Sequence, residues 1–238
     1  MRIRTWCLAA AVICAPVSRI AAQNAAASAG YLALITTPTG GVSPVIKPWM
    51  LTDPSTRVGL ETQWGHVFGN GGSLNSFTIG AVLPFASGRG DVGLSSGYLK
   101  ASCDVGNCNG FFLASAAAEG RVIQSSIGDG TFTLGLSGRV GFSKPSDATV
   151  WSASASIPFS IALGSRAGLQ VGPFVSPGLG WGSVNEGGSS ASGGRFLLGG
   201  GIGVVSSKSG AGLTVGVQKV FVDGGKTVFG AGFTVSPR

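Results

Sequence analysis

The only histidine of the chain, His66, stands in Trp-Gly-His-Val-Phe. A hydrolytic site would set such a histidine beside a serine and an acid, so that the imidazole takes the nucleophile's proton. No serine or acid lies at a spacing that brings it beside His66 locally, and a partner would have to come from another strand. His66 therefore reads as a histidine on the rim of an apolar face, and no enzyme activity is expected. Cys103 and Cys108 sit in the turn-rich run Ala-Ser-Cys-Asp-Val-Gly-Asn-Cys-Asn-Gly. In an exported chain that spacing reads as one local disulfide, worth on the order of 2 kcal/mol by loop-closure entropy. A metal site would need a further ligand, and no histidine or third cysteine is close. Asp104, Asn107 and Asn109 lack the twelve-residue spacing of a calcium loop. Gly88, Gly90 and Gly93 spell GxGxxG, but Val92-Gly93-Leu94-Ser95-Ser96 is strand-patterned, and a dinucleotide loop requires a helix there. Neither a cofactor nor a metal is expected.

The remaining polar side chains that stand out are Arg57, Glu61, Gln63, Glu119, Arg121, Arg139, Gln170 and Arg195. What unites them is the pattern in which they are set. In Thr131–Phe142, Phe132, Leu134, Leu136, Gly138, Val140 and Phe142 alternate with Thr131, Thr133, Gly135, Ser137, Arg139 and Gly141. A strand sends successive side chains to opposite faces, so this segment has one apolar and one polar face. It is about twice the usual strand length. Lipid outside and a lumen inside would account for both features. The eight polar residues are then lumen-facing candidates, among inward positions that are mainly Gly, Ser and Thr. Two arrangements are open: a narrow watery lumen, or a solid polar core in which Glu61 and Glu119 pair with arginines.

Composition and the leader agree with that setting. The chain has 238 residues, 42 of them Gly, only 11% charged, with a mean hydropathy of +0.40. Soluble domains carry about 25% charge. Residues 1–22 read as a secretory leader: Arg2 and Arg4, an apolar centre from Trp6 to Val17, and Ile20-Ala21-Ala22 as a small-residue cleavage site. Its apolar run is too short to span a bilayer, which takes about 20 residues. Loss of Arg2, Arg4 and Arg19 leaves 13 basic and 9 acidic side chains, a net of +4. With no run of Lys or Arg, nucleic-acid binding is not expected. No later segment is apolar for long enough to be a membrane helix, so a spanning chain must use strands, and strands in lipid must close into a barrel.

Ten strands are expected, near 57–68, 74–85, 91–101, 110–122, 131–142, 148–159, 167–180, 194–206, 211–222 and 226–236. Residues 57–238 thus form one all-β, antiparallel up-and-down barrel, with eight or twelve strands as alternatives. Turns near 86–90, 123–130, 160–166 and 207–210 fall on the inner side. Loops near 69–73, 102–109, 143–147, 181–193 and 223–225 fall on the outer side, the longest being the Gly/Ser-rich run around Gly182–Gly193. Leu83-Pro84-Phe85 and Ile157-Pro158-Phe159 look like two strand ends, where proline is tolerated. Aromatics mark both rims: Phe68, Tyr98, Phe112, Phe142, Trp151 and Trp181 outside, Phe85, Phe132, Phe159 and Phe233 inside, as interfacial girdles would. Residues 23–56, broken by Pro38, Pro44, Pro48 and Pro54, read as a lead-in, a lumen plug or a poorly formed extra hairpin.

The leader, the ten alternating strands and the aromatic rims together resemble the small outer-membrane β-barrels of Gram-negative bacteria, such as the OmpA-type and OmpW-type families. The resemblance is architectural, covers roughly residues 57–236, and carries over no functional residue. It implies residence in the bacterial outer membrane, contact with its lipid, delivery by the barrel assembly machinery, and a structural role or passive passage of small solutes. The pattern departs from these families after Phe233, where Thr-Val-Ser-Pro-Arg replaces a terminal aromatic. A secreted soluble barrel or sandwich that buries the aromatic face, and a lipid-active enzyme using His66, are the alternative readings.

Overall fold

The computed structural model describes residues 58–69, 72–85, 89–103, 110–145, 148–164, 168–206, 208–221, 225 and 227–235. The leader, the segment 23–56, Arg57, Cys108 and the side chain of Cys103 lie outside the described residues, and with them the cleavage site and the disulfide.

The strands are β1 (Gly59–Gly69), β2 (Gly72–Phe85), β3 (Gly90–Cys103), β4 (Phe111–Ile127), β5 (Gly130–Ser143), β6 (Ala148–Ser156), β7 (Phe159–Gly164), β8 (Leu169–Glu186), β9 (Ser189–Ser206), β10 (Ala211–Phe221) and β11 (Thr227–Val235). Each pairs antiparallel with its neighbours, and β11 returns to β1 from Leu60↔Val235 to Val67↔Val228. The sheet therefore closes, and no edge is left along the wall. Strands β6 and β7 are two halves of one stave between β5 and β8, so the ring has ten staves. The wall is complete without residues 23–56, which removes the option of a twelve-strand ring.

Pro158 explains the split stave. It has no amide hydrogen to give the ladder, so pairing is interrupted there. The ladder is bridged by its neighbours: Gly135 N donates to Pro158 O at 2.9 Å and Ile157 N to Pro177 O at 2.9 Å. Ile157-Pro158-Phe159 thus lies within a stave and is not a strand end, whereas Leu83-Pro84-Phe85 does end β2. The turn expected at 160–166 begins later, because β7 occupies Phe159–Gly164.

Two hairpins are longer than their sequences suggest. The expected outer loop at 181–193 is strand: β8 and β9 stay paired from Trp181↔Gly194 to Glu186↔Ser189. They reverse at Gly187 and Gly188, with φ of 57° and 84°, the left-handed pair that a tight two-residue turn demands. On the inner side β4 continues past residue 122 to Ile127. A register shift between Arg121 and Ile123 hides this extension in the sequence. It leaves Val122 and Ile123 both exposed, so the alternation skips a beat, as one extra residue in a bulge requires.

Inward glycines let the wall curve. A Cβ on Gly97 would strike the carbonyl of Phe77, and one on Gly201 the carbonyl of Val215. Barrels bend where such contacts are relieved by glycine.

Candidate functional site: the barrel lumen

The outward face is apolar. Leu60, Trp64, Phe77, Ile79, Leu94, Leu136, Val140, Leu179, Ile202, Leu213 and Phe233 are all exposed. Soluble proteins rarely expose apolar patches beyond roughly a few hundred Å². Phe68, Phe85, Tyr98, Phe112, Trp151 and Trp181 are exposed on this face, with Phe132, Phe142 and Phe159 partly so. Tyr98 pairs with Phe112 across β3 and β4, and Phe142 with Trp151 across β5 and β6, ring centres 4.8 Å apart. Phe196 and Phe221 add a further outer pair at 5.3 Å. The aromatic face is the outside of the barrel and does not form a soluble core.

His66 belongs to this exterior. Its Nδ1 lies 2.7 Å from Asn75 Oδ1 on β2, its cross-strand partner. Its ring stacks on Trp64, with centres 5.8 Å apart, and meets Phe68 edge-on at 4.1 Å. The imidazole is held by an amide and two aromatics. This geometry anchors the side chain, and among the described residues its hydrogen-bonding partner is Asn75.

The inward face carries the charges. Glu119 on β4 is 3% exposed and accepts from Arg139 Nη2 at 2.6 Å and from Ser137 Oγ at 3.2 Å. Ser137 is Glu119's cross-strand partner, and Arg139 is two residues further along the same face of β5. Arg139 Nε also donates to Ser137 Oγ at 3.4 Å, which ties the three into one cluster. Asp91 stands directly opposite Glu119 on β3 and is 4% exposed. Like charges face to face repel, and the guanidinium of Arg139 beside Glu119 offsets this. Arg121, next inward on β4, donates to Gln124 Oε1 at 2.6 Å. Glu61 and Gln63 on β1 and Gln170 on β8 are buried on the same inward face. Arg195 is separate: it is partly exposed on β9 toward the outer end and donates to Gly194 O at 2.6 Å. The eight candidates are therefore not one site. Asp91, Glu119, Ser137 and Arg139 form a cluster on β3–β5 with Arg121 beside it on β4, while Glu61, Gln63, Gln170 and Arg195 stand elsewhere on the wall and Arg57 lies outside the described residues. Asp91 was not among the sequence candidates, although alternation from Val92 and Leu94 puts it on the inward side.

A second inward feature also escapes the outward-face pattern. Val67, Leu74, Leu99, Phe111, Leu113, Val150, Val220 and Val228 are buried near the outer ends of their strands, and Leu197 is buried midway along the long β9. Register links them: Val67 faces both Leu74 and Val228, Leu99 faces Phe111, and Leu197 faces Val220. They make an apolar collar around the outer half of the lumen. Its sequence signal was apolar residues on both faces at one strand end, as in Val67-Phe68, Val220-Phe221 and Val228-Phe229.

Among the described residues no group of three or more His, Cys, Asp or Glu side chains is placed to hold a metal. Fold and lumen together define a small transmembrane β-barrel. No family model matches the chain, and no curated protein matches it. Among solved structures it is similar to the β domain of the Bordetella autotransporter BrkA, at 14% identity and a TM-score of 0.45, over 76% of this chain and 99% of that one. It is similar to the N-terminal β-barrel domain of Pseudomonas aeruginosa OprF at 14% identity and a TM-score of 0.32, over 76% and 99% of the two chains. It is similar also to Ail, the attachment invasion locus protein of Yersinia pestis, at 12% identity and a TM-score of 0.29, over 75% and 96%.

Proposed function

We propose that this is a non-enzymatic outer-membrane barrel with a structural role, exported by a leader cleaved after Ala22, inserted by the barrel assembly machinery, and closed to solutes at rest. One observation carries the closed state. Inward residues are buried all round the wall, including glycines with no side chain to hide them: Gly65, Gly93, Gly172, Gly203 and Gly232. In a lumen open to water these bare positions would be wet. A Cys103–Cys108 disulfide would stiffen the outer β3–β4 loop. Passive passage of small solutes is the second reading, favoured by the Gly, Ser and Thr that dominate the inward positions.

Liposome swelling tests the choice. Vesicles carrying the refolded full chain should swell in small sugars no faster than protein-free vesicles; faster swelling would establish the channel. A purified His66→Ala protein should match the wild type in any lipid hydrolysis, at background level. Hydrolysis by the wild type that this variant lacks would make the protein an enzyme.

A further inference from the structure

At its outer end the outward wall of β1–β3 turns polar. Register sets His66 beside Asn75 and Asn75 beside Lys100, one side chain per strand in a single row. Two residues nearer the membrane centre on each strand stand Trp64, Phe77 and Tyr98, which are cross-strand partners in turn, and Phe112 on β4 continues their row. All four rings are exposed. On the outer side Ser73 and Ser102 make the next pair. A row of rings under a row of polar groups is how a wall meets the boundary between acyl chains and headgroups.

The polar row is a set of donors. Asn75 Oδ1 lies 2.7 Å from His66 Nδ1. The imidazole N–H thus takes the amide's acceptor and leaves Asn75 Nδ2 to donate elsewhere. Lys100, on the other side of Asn75, is exposed, and an ammonium has three donors and no acceptor. Gly110 follows the Leu99↔Phe111 pair in register, which places it beside Lys100. A Cβ on Gly110 would run into the Tyr98 ring and its hydroxyl. The ring therefore lies along the wall toward the outer end, and Tyr98 Oη comes up to the level of Lys100. The described acids of β1–β4, Glu61, Asp91 and Glu119, are buried on the opposite, inward side. The wall itself supplies no described carboxylate to this group of donors.

We propose that this patch docks a phosphate-bearing anionic lipid of the outer leaflet. Lys100, Asn75 Nδ2 and Tyr98 Oη take the phosphate, and the rings of Trp64, Phe77 and Phe112 take the acyl chains. His66 is a positioning residue, which turns the amide of Asn75. An outward lysine on such a wall is tolerated near the interface, where headgroup phosphates lie. The aromatic row directly beneath favours a lipid over free phosphate, which has no use for four exposed rings. Lys219 is the contrast. It faces outward at the outer end of β10, but its cross-strand partners are Thr227 and Leu198, and its Nζ donates to Gly225 O at 2.8 Å. The proposal rests on residence in the outer membrane and is independent of whether the lumen conducts.

The test is native mass spectrometry of the full chain, refolded into detergent micelles that contain equal amounts of phosphatidylglycerol and phosphatidylcholine with the same acyl chains. Both lipids carry phosphate, and they differ in net charge. The folded wild type should retain phosphatidylglycerol in preference. Lys100→Gln should lower that retention about fivefold, the loss expected of one interfacial cation. Asn75→Leu should lower it as well, although the net charge is unchanged. Lys219→Gln should retain the lipid as the wild type does. Equal loss in Lys219→Gln and Lys100→Gln would mean general charge attraction without a site, and would overturn the proposal. No preference in the wild type, or retention unaltered in Lys100→Gln or Asn75→Leu, would overturn it too. Added inorganic phosphate should not displace the lipid; displacement would make the patch a site for free anions and end the lipid reading. A wild type that folds and stays soluble without detergent or lipid would remove the outer-membrane reading, and this proposal with it.

Discussion

Glu119 and Arg139 form a buried ion pair in the lumen wall. Glu119 is buried opposite Asp91, and Arg139 at 2.6 Å is the cation on it. Removing one partner of a buried pair strands the other's charge, which costs about 3–5 kcal/mol. Arg139→Met should therefore lower the urea midpoint of the heat-modifiable form substantially. Arg139→Met with Glu119→Gln should recover part of that loss, because the stranded charge is gone. A double variant no better than the single would mean that Arg139 acts through packing alone. The alternation of Thr131–Phe142 put Arg139 on the inward face from sequence, and Glu119 likewise. That Glu119 could meet an arginine was legible; which arginine was not, since that depends on the register of two strands, as does the approach of Asp91.

At the scale of strands, the apolar face of β5 was fully legible because lipid enforces a strict period of two. Leu136→Arg, on that face, should cost about 2–4 kcal/mol near the bilayer centre and less toward either rim. Refolding yield into lipid vesicles measures this, and an unchanged yield would argue against lipid contact at residue 136. Glycines divide by direction. Gly97→Val and Gly201→Val should abolish assembly, because their Cβ atoms would run into neighbouring backbone. Gly138→Val should be tolerated, since a Cβ there meets only Ala118 O at 4.0 Å. Equal assembly of all three would contradict the inward close approaches. The elements that sequence hid each have a local cause. The bulge at Val122 breaks the alternation of β4, Pro158 mimics a strand end, and the Gly/Ser run after Trp181 has too little intrinsic strand preference to be seen without its partner strand. The collar was hidden because residues such as Leu113 and Leu197 sit between outward apolar neighbours, and a doubly apolar stretch does not alternate.

For the whole molecule, ten staves wrap an interior whose acidic side chains Glu61, Asp91 and Glu119 lie toward the inner mouth and whose apolar collar lies toward the outer one. The outside is predominantly apolar, with polar side chains such as His66, Asn75, Lys100 and Lys219 toward its outer end, and the described tryptophans Trp64, Trp151 and Trp181 all stand on it. That orientation is what separates a membrane barrel from a soluble one built on the same alternation. It is tested most directly by refolding the full chain into vesicles whose acyl chains carry bromine and reading tryptophan fluorescence. Strong quenching is expected, beyond that in vesicles of ordinary lipid, because three indoles meet the bilayer. Tryptophan emission unchanged by brominated lipid, from a chain that stays folded without detergent, would contradict the account.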